Sequence, residues 1–228
     1  MSETGIIIVG AGKHGWELDS YLLDAAREGS PLRLAGYIDE HKAPGPWGSS
    51  RILGNFETLR QMAAADPSKP LQYITAVGDN RARREMVGKL EALGCPNLVP
   101  GIIRHPFSSV GLKNEIGEGT CLAPGSIIST EARLGRHVIM NMRALVSHEC
   151  VVEDYANLNP GCILCGNVRV EEGAYIGPGA TVIRNVTVGA WSVVAAGATV
   201  FTNVPPGVTV MGAPARKIMS REDLPSRP

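Results

Sequence analysis

VSHECVVEDYANLNPGCILCGNVRV, residues 146–170, places an apolar residue at every sixth position: Val146, Val152, Leu158, Leu164 and Val170. Followed outward, the period runs back through Met140, Leu134, Ile128, Leu122 and Ile116 to Val110. It runs forward through Ile176, Val182, Val188 and Val194 to Val200, sixteen positions without a miss. In a chain with 44% hydrophobic residues, such a run arises by chance with a probability on the order of 10⁻⁶. Two residues before each apolar position stands a small or β-branched one in most hexads, such as Ala144, Cys150, Ala156, Cys162 and Val168.

Residues two apart on a strand point to the same side. Both series therefore point inward, one large and one small side chain per hexad. A unit of this kind is one flat side of a prism, with the chain turning at each corner. Three sides make one coil, and coils stack roughly 4.8 Å apart through backbone hydrogen bonds. The pattern predicts a parallel β-helix of hexapeptide repeats, with about five coils and a height of roughly 25 Å. Such a solenoid needs a cap at each end.

Across the 228 residues, Lys+Arg and Asp+Glu both total 22. Bulk charge therefore favours neither nucleic acid nor an anionic membrane. No apolar run approaches the eighteen residues of a membrane span, and the first residues lack the basic and apolar regions of a leader. A cytoplasmic protein without membrane insertion is expected. The five cysteines, Cys95, Cys121, Cys150, Cys162 and Cys165, are odd in number and follow no disulfide framework. Cys150 and Cys162 fall in the inward small series, where a thiol is a compact apolar filler. Cys162 and Cys165 have no second pair to complete a zinc site, so no metal is expected.

Residues 1–104 read differently. Gly5–Val9 is a buried strand that enters Gly10-Ala-Gly12-Lys-His-Gly15, a G-x-G-x-x-G loop, and a helix follows from His14 to about Arg27. Leu32–Ile38 is a second strand ending in Asp39-Glu40, and His41–Ser50, with two prolines and two glycines, is a loop. Asn55 caps a helix over Phe56–Ala65. Leu71–Val77 is a third strand meeting Gly78-Asp79-Asn80, a helix covers Arg81–Leu93 up to Gly94, and Asn97–Ile103 is a fourth apolar run. Alternating strands and helices predict a small Rossmann-like parallel sheet with its ligand crevice at the carboxyl ends of the strands. The Gly-rich loop suits a phosphate-bearing ligand at a helix N-terminus. A hydride-transfer enzyme needs a substrate domain beside the nicotinamide, which a β-helix does not supply, so a nucleotide sugar fits better than NAD. The expected domains are 1–104, 105–204 and a capping tail over 205–228, in which Val208–Met211 is a strand and Ala215–Ser220 a small helix.

Two histidines fall at prism corners. His137, three residues after inward Leu134, is expected to be exposed. His148 is followed by Glu149, and neither belongs to an inward series. An imidazole beside a carboxylate can act as a general base.

Taken together, the Gly10–Gly15 loop with its α/β domain, the hexads, the His148-Glu149-Cys150-Val151-Val152 and Cys165-Gly166-Asn167-Val168 segments, and the Gly212-Ala-Pro214-Ala-Arg216-Lys217 tail resemble one family. It is the hexapeptide acyltransferases of bacterial glycan pathways, which include nucleotide-linked 4-amino-sugar N-acetyltransferases and sialic acid O-acetyltransferases. The resemblance implies a left-handed helix and a homotrimer with active sites between subunits. It implies acetyl-CoA as co-substrate and transfer to the amine of a nucleotide-linked 4-amino-deoxy sugar. His148 is then the general base, Glu149 its orienting partner, and Gly166 a backbone donor to the thioester oxygen. Gly177, Ala195, Ala196 and Pro214 line the acetyl-CoA groove. Gly12, Lys13, His14, Asp39, Glu40, Gly78, Asp79 and Asn80 hold the nucleotide sugar. Where some members carry a second histidine, nine residues after the first, this chain has Asn157, which donates a hydrogen bond but shuttles no proton. Sugar O-acetyl transfer and a non-catalytic nucleotide-sugar-binding subunit stay open as alternatives, as do the uridine, guanosine and thymidine carriers and the length of the acyl chain.

Overall fold

Four apolar residues in a row, Ile6–Val9, demand cover on both faces, and all four are buried. They belong to β1 (Thr4–Val9). The chain then forms α1 (Lys13–Arg27), β2 (Leu32–Ile38), β3 (Gly45–Trp47), β4 (Ser50–Gly54), α2 (Phe56–Ala65), β5 (Leu71–Thr75), α3 (Asn80–Glu91) and β6 (Leu98–Pro100). The structure is a computed structural model that describes residues 3–220. The chain divides into two compact units at Pro106/Phe107.

The sheet of the first unit has the order β3-β4-β2-β1-β5-β6. β1 pairs in parallel with β2 on one side and β5 on the other. The chain builds outward from β1 to β4 and then returns to the far side of β1. That reversal opens a crevice beyond the carboxyl ends of β1 and β5. On one face Ile7, Val9, Ile38 and Tyr73 pack against Leu59 of α2 and Leu90 of α3. α1 turns Leu18, Tyr21, Leu22 and Ala25 inward. Asn55 caps α2 by accepting from the Thr58 N–H at 3.2 Å.

The segment His41–Ser50, read as a loop, instead contributes an antiparallel hairpin of β3 and β4, with Gly45 opposite Ile52 and Trp47 opposite Ser50. Pro46 is tolerated because β3 is the edge strand, where a missing donor costs nothing. The turn closes through Gly48 at φ +55, directly over Asp19 and the Tyr37 hydroxyl, where a Cβ has no room. Asp19 is buried on α1. Its Oδ2 accepts from the Tyr37 hydroxyl at 2.6 Å and the Ser49 N–H at 2.7 Å, and its Oδ1 accepts from Ser49 Oγ at 2.5 Å. Burial, and then Asp19 itself, hold the Tyr37 phenol well above its ordinary pKa. Asp19→Ala strands these buried donors. We expect it to lower unfolding stability by about 1–3 kcal/mol, read as a fall in the urea midpoint. An unchanged midpoint would show that the hairpin does not depend on this anchor.

The second unit is the prism. Its first face stacks Ser109–Val110, Ile127–Ile128, Leu145–Val146, Ile163–Leu164, Thr181–Val182 and Thr199–Val200 in parallel register. Its second face stacks Glu115–Ile116, Arg133–Leu134, Val151–Val152, Arg169–Val170 and Thr187–Val188. Its third stacks Cys121–Leu122, Ile139–Met140, Asn157–Leu158, Tyr175–Ile176 and Val193–Val194. Both inward series meet in one core that includes Val146, Cys150, Val152, Ala156, Leu158 and Cys162. Each turn puts the residue three after the large apolar one at positive φ. Nine of these residues are not glycine, from Lys113 (φ 59) to Trp191 (φ 57). Left-handed backbone of this kind persists only where the surroundings over-determine it, and here the bonds between coils do so on both sides of every turn.

Val208–Met211 continues the third face, parallel to Val193–Val194. The helix expected over Ala215–Ser220 is a strand, Arg216–Ser220, antiparallel to Val208–Met211. Val208 and Val210 are buried, and an exposed ladder edge is better satisfied by a strand than by a short helix. Residues 221–228 of the expected tail lie outside the described residues.

Candidate active site

In the first unit, the loops after β1, β2 and β5 meet at one end of the sheet because those strands are neighbours. Gly12 is the N-cap of α1, with Lys13 and His14 opening the helix. His14 Nδ1 lies 2.8 Å from Glu17 Oε2, while its Nε2 is shielded from solvent and has no partner. Asp39 Oδ2 accepts from the Ala11 N–H at 2.7 Å, and Oδ1 from the N–H groups of His41 (2.9 Å) and Lys42 (3.1 Å). Burial works to raise the Asp39 pKa, but the three backbone donors, with the nearby Lys42 charge, outweigh it and the carboxyl sits below its ordinary value. Glu40 accepts from the Phe56 N–H at 2.6 Å, and Asp79 from the Arg81 and Ala82 N–H groups at the start of α3. Asn80 is the first residue of α3 and is buried. The sequence residues Gly12, Lys13, His14, Asp39, Glu40, Gly78, Asp79 and Asn80 are thus brought to one end of the sheet. All three acids also organise the backbone of the crevice.

Three further groups there were not singled out from the sequence. Arg83 is buried and donates from Nη1 to the carbonyls of Val77 (2.9 Å) and Gly78 (3.3 Å), fixing the loop after β5. Lys42 Nζ donates to the Ala11 carbonyl at 2.5 Å. Trp47 stands on β3, within the hairpin that was read as a loop.

In the second unit, His148 and Glu149 stand at the corner between the first and second faces. Their side chains are 58% and 60% exposed, with His148 Nδ1 3.0 Å from Glu149 Oε2. One coil on, the imidazole lies over Gly166. A Cβ built there would be 2.5 Å from His148 Cε1 and 2.6 Å from Nε2. The Cys165 and Asn167 N–H groups bond to neighbouring coils, while the Gly166 N–H between them stays out of that ladder.

The remaining expected residues lie elsewhere on the prism. Gly177, Ala195 and Ala196 share the corner between the third and first faces, where a Cβ on Gly177 would be 2.6 Å from the Ala196 nitrogen. Gly212 and Ala215, on either side of Pro214, bond to Thr199 on the next face. Asn157 is on the third face, 5% exposed, in register between Ile139 and Tyr175. A single prism therefore does not bring Asn157 or the Gly177 column to His148. An open groove of about 430 Å³ on the second face, lined by Glu115, Arg133, Glu153 and Asp154 among others, leaves His148 outside its lining.

His137, expected to be exposed, is buried. Its ring stacks on Tyr155 with centroids 5.4 Å apart, and it covers Gly119 one coil back. Cys150 and Cys162 are buried too. Burial raises both thiols, Cys162 to about 12, which leaves neither suited to nucleophilic catalysis. Among the described residues, no group of three His, Cys, Asp or Glu is placed to hold a metal ion, and no helix is long and apolar enough to cross a membrane.

The hexad prism and the sheet with its Gly-loop crevice have the architecture of the left-handed β-helix acyltransferases, and the comparisons agree. The bacterial transferase hexapeptide family (six repeats) matches residues 167–202, and the PglD N-terminal domain family matches residues 5–90. The chain thus joins bacterial transferase hexapeptide repeats to a PglD-type N-terminal domain. A search of curated proteins returns no match. Solved structures similar over nearly the whole chain include the following three. A mutant of GDP-perosamine N-acetyltransferase from Caulobacter crescentus, in complex with CoA and GDP-perosamine, is 27% identical; the match covers 95% of this chain and 98% of that one, with a TM-score of 0.85. The acetyltransferase domain of PglB from Neisseria gonorrhoeae, in complex with acetyl coenzyme A, is 26% identical, covering 95% and 100%, with a TM-score of 0.81. WeeI from Acinetobacter baumannii is 26% identical, covering 94% and 100%, with a TM-score of 0.78.

Proposed function

We propose that this protein transfers the acetyl group of acetyl-CoA to the amine of a nucleotide-linked 4-amino-deoxy sugar. The observation that carries the reading is the His148–Glu149 pair poised over Gly166. Glu149 accepts a proton bond from Nδ1 and so leaves the Nε2 lone pair free to act as base. The sugar amine attacks the thioester carbonyl while Nε2 removes its proton. The Gly166 N–H stabilises the tetrahedral oxyanion. The C–S bond then breaks, and the CoA sulfur takes the proton back from the imidazolium. The relatives solved with CoA and GDP-perosamine, and with acetyl coenzyme A, support this choice of donor and acceptor.

The active unit of this reading is a homotrimer. His148 and Glu149 stand exposed, and the groups assigned to acetyl-CoA occupy another corner of the same prism. Packing prisms around a threefold axis sets one corner of a copy against a different part of the next, which completes the site from two copies. The outward row of the first face, with Ile127 and Ile163 exposed and Leu145 between them, offers an apolar surface for that packing.

The test is thiol release from acetyl-CoA against GDP-, UDP- and dTDP-linked sugars bearing a 4-amino or a 4-hydroxy group, with the assembly followed by sedimentation. The expected result is turnover confined to a 4-amino sugar by a particle of three chains. Turnover confined to hydroxyl acceptors would overturn the amine assignment, and an active monomer would overturn the shared site.

A further inference from the structure

Two lysines at the mouth of the Gly-rich loop lie on the faces of two indoles. Lys13 Nζ is 3.7 Å from the centroid of a Trp16 ring, and Lys42 Nζ is 3.7 Å from that of Trp47. The two tryptophans are 5.2 Å apart, tilted by 42°. Lys13 opens α1 next to Gly12, and Lys42 reaches the Ala11 carbonyl, so both ammoniums border the same loop.

The acids at this place are turned to backbone N–H groups, which leaves the two ammoniums as the side-chain charges free to meet an anion. Asp39, Glu40 and Asp79 each accept from backbone N–H groups. Neither lysine makes an ion pair among the described residues. Their ammoniums rest on ring faces, a weak hold at an exposed site, and a phosphate offers them charge-assisted hydrogen bonds instead. Two polar atoms of the same segments, Trp47 Nε1 and His14 Nε2, are shielded from solvent and unpartnered. Unsatisfied groups of this kind are rare in native structures and call for an occupant. The platform is also held in advance. Ser49, two residues after Trp47, is tied through its N–H and hydroxyl to buried Asp19, and the Gly48 turn leaves no space for another residue. A ring fixed before binding saves ordering entropy on association.

We propose that the Trp16–Trp47 pair with Lys13 and Lys42 is the clamp for the nucleoside diphosphate part of the substrate, with a preference for a purine base. Trp47 stacks on the base. Lys42 and Lys13 leave the indoles and pair with the diphosphate that the Gly10–Gly15 loop and the α1 N-terminus receive. The bicyclic indole face matches a purine in area and covers a single-ring pyrimidine less completely. This inference rests on the nucleotide-sugar reading above and names the residues that select its carrier.

The experiment is calorimetric titration of the full chain with GDP, UDP, dTDP and inorganic pyrophosphate. The wild type, Trp47→Ala, Trp47→Phe and Lys42→Gln are compared, with melting curves for each. Loss of base stacking is expected to weaken GDP binding by about 5- to 150-fold in Trp47→Ala. The effect is smaller in Trp47→Phe, and pyrophosphate binding is unchanged in both. Lys42→Gln is expected to weaken GDP and pyrophosphate alike, by about ten-fold. GDP binding by a folded Trp47→Ala protein with wild-type affinity would overturn the clamp alone, and UDP binding as tightly as GDP to the wild type would overturn the purine preference. Failure of the wild type to bind any nucleoside diphosphate would bring down the nucleotide-sugar reading and the clamp together.

Discussion

His148→Ala is expected to lower kcat for acetyl transfer by about 10²–10⁴-fold while the melting temperature and the affinity for the nucleotide sugar stay at wild-type values. The side chain is 58% exposed at a corner and belongs to no core, so its removal opens no cavity and strands no buried partner. The crevice proposed for the nucleotide is built from residues of the other unit of the chain. A base that acts only as the amine attacks contributes in the transition state and not in the bound substrate. kcat and kcat/KM should therefore fall together. Glu149→Gln, which keeps a partner for Nδ1 but removes the charge, should give an intermediate loss. Steady-state thiol release over a range of sugar-nucleotide concentrations, with a binding titration and a melting curve for each variant, measures this. Turnover at the wild-type rate in His148→Ala would take the histidine out of the chemistry.

Gly166→Ala should be nearly as damaging to turnover, with every catalytic group chemically intact. The added Cβ arrives 2.5 Å from His148 Cε1 and 2.6 Å from Nε2, well inside van der Waals contact. Gly166 is not among the residues at positive φ, so alanine fits its backbone. The neighbour in the way is the free end of an exposed side chain, which yields before the coil does. The imidazole then moves by a fraction of an ångström to an ångström, and misplacement on that scale costs about 10²-fold in rate. kcat should fall by about that factor while the melting curve overlays the wild type. An unchanged kcat would mean that the working position of the ring is not over Gly166, and a lowered melting temperature would mean that the coil moved instead.

The prism was legible because its two inward series recur at a fixed interval that chance does not produce, and each inward residue from Val146 to Val182 is buried as that interval requires. His148 and Glu149 stood out as polar residues outside both series. His137 was misjudged because its phase was read along the chain only. Its surroundings are set eighteen residues away in either direction, by Gly119, which vacates a space, and by Tyr155, which covers the ring. The Trp47 hairpin was missed for a related reason. Two prolines and two glycines satisfy a loop reading locally, whereas the turn exists because Gly48 and Ser49 close over Asp19, some thirty residues earlier. Lys42 depended on the same placement. The separation of Asn157 from His148 follows from arithmetic already in the sequence, since nine residues are one and a half sides of the prism and end on a different face.

The uniform left-handed turns have a consequence for how this activity can arise. Ser147-His148-Glu149 stands directly above Ser129-Thr130-Glu131 in the stack, on the same backbone and in the same register. The earlier corner differs at one residue, and its glutamate is engaged by Lys113 at 2.9 Å. Two positions separate the corners: Thr130 against His148, and, one coil on from each, His148 against Gly166. The corners behave as addresses on a printed tape: the core sets the spacing and the turns set the orientation. An address can be rewritten without rebuilding the scaffold where its neighbour one coil away leaves room, as Gly119 does for His137 and Gly166 for His148.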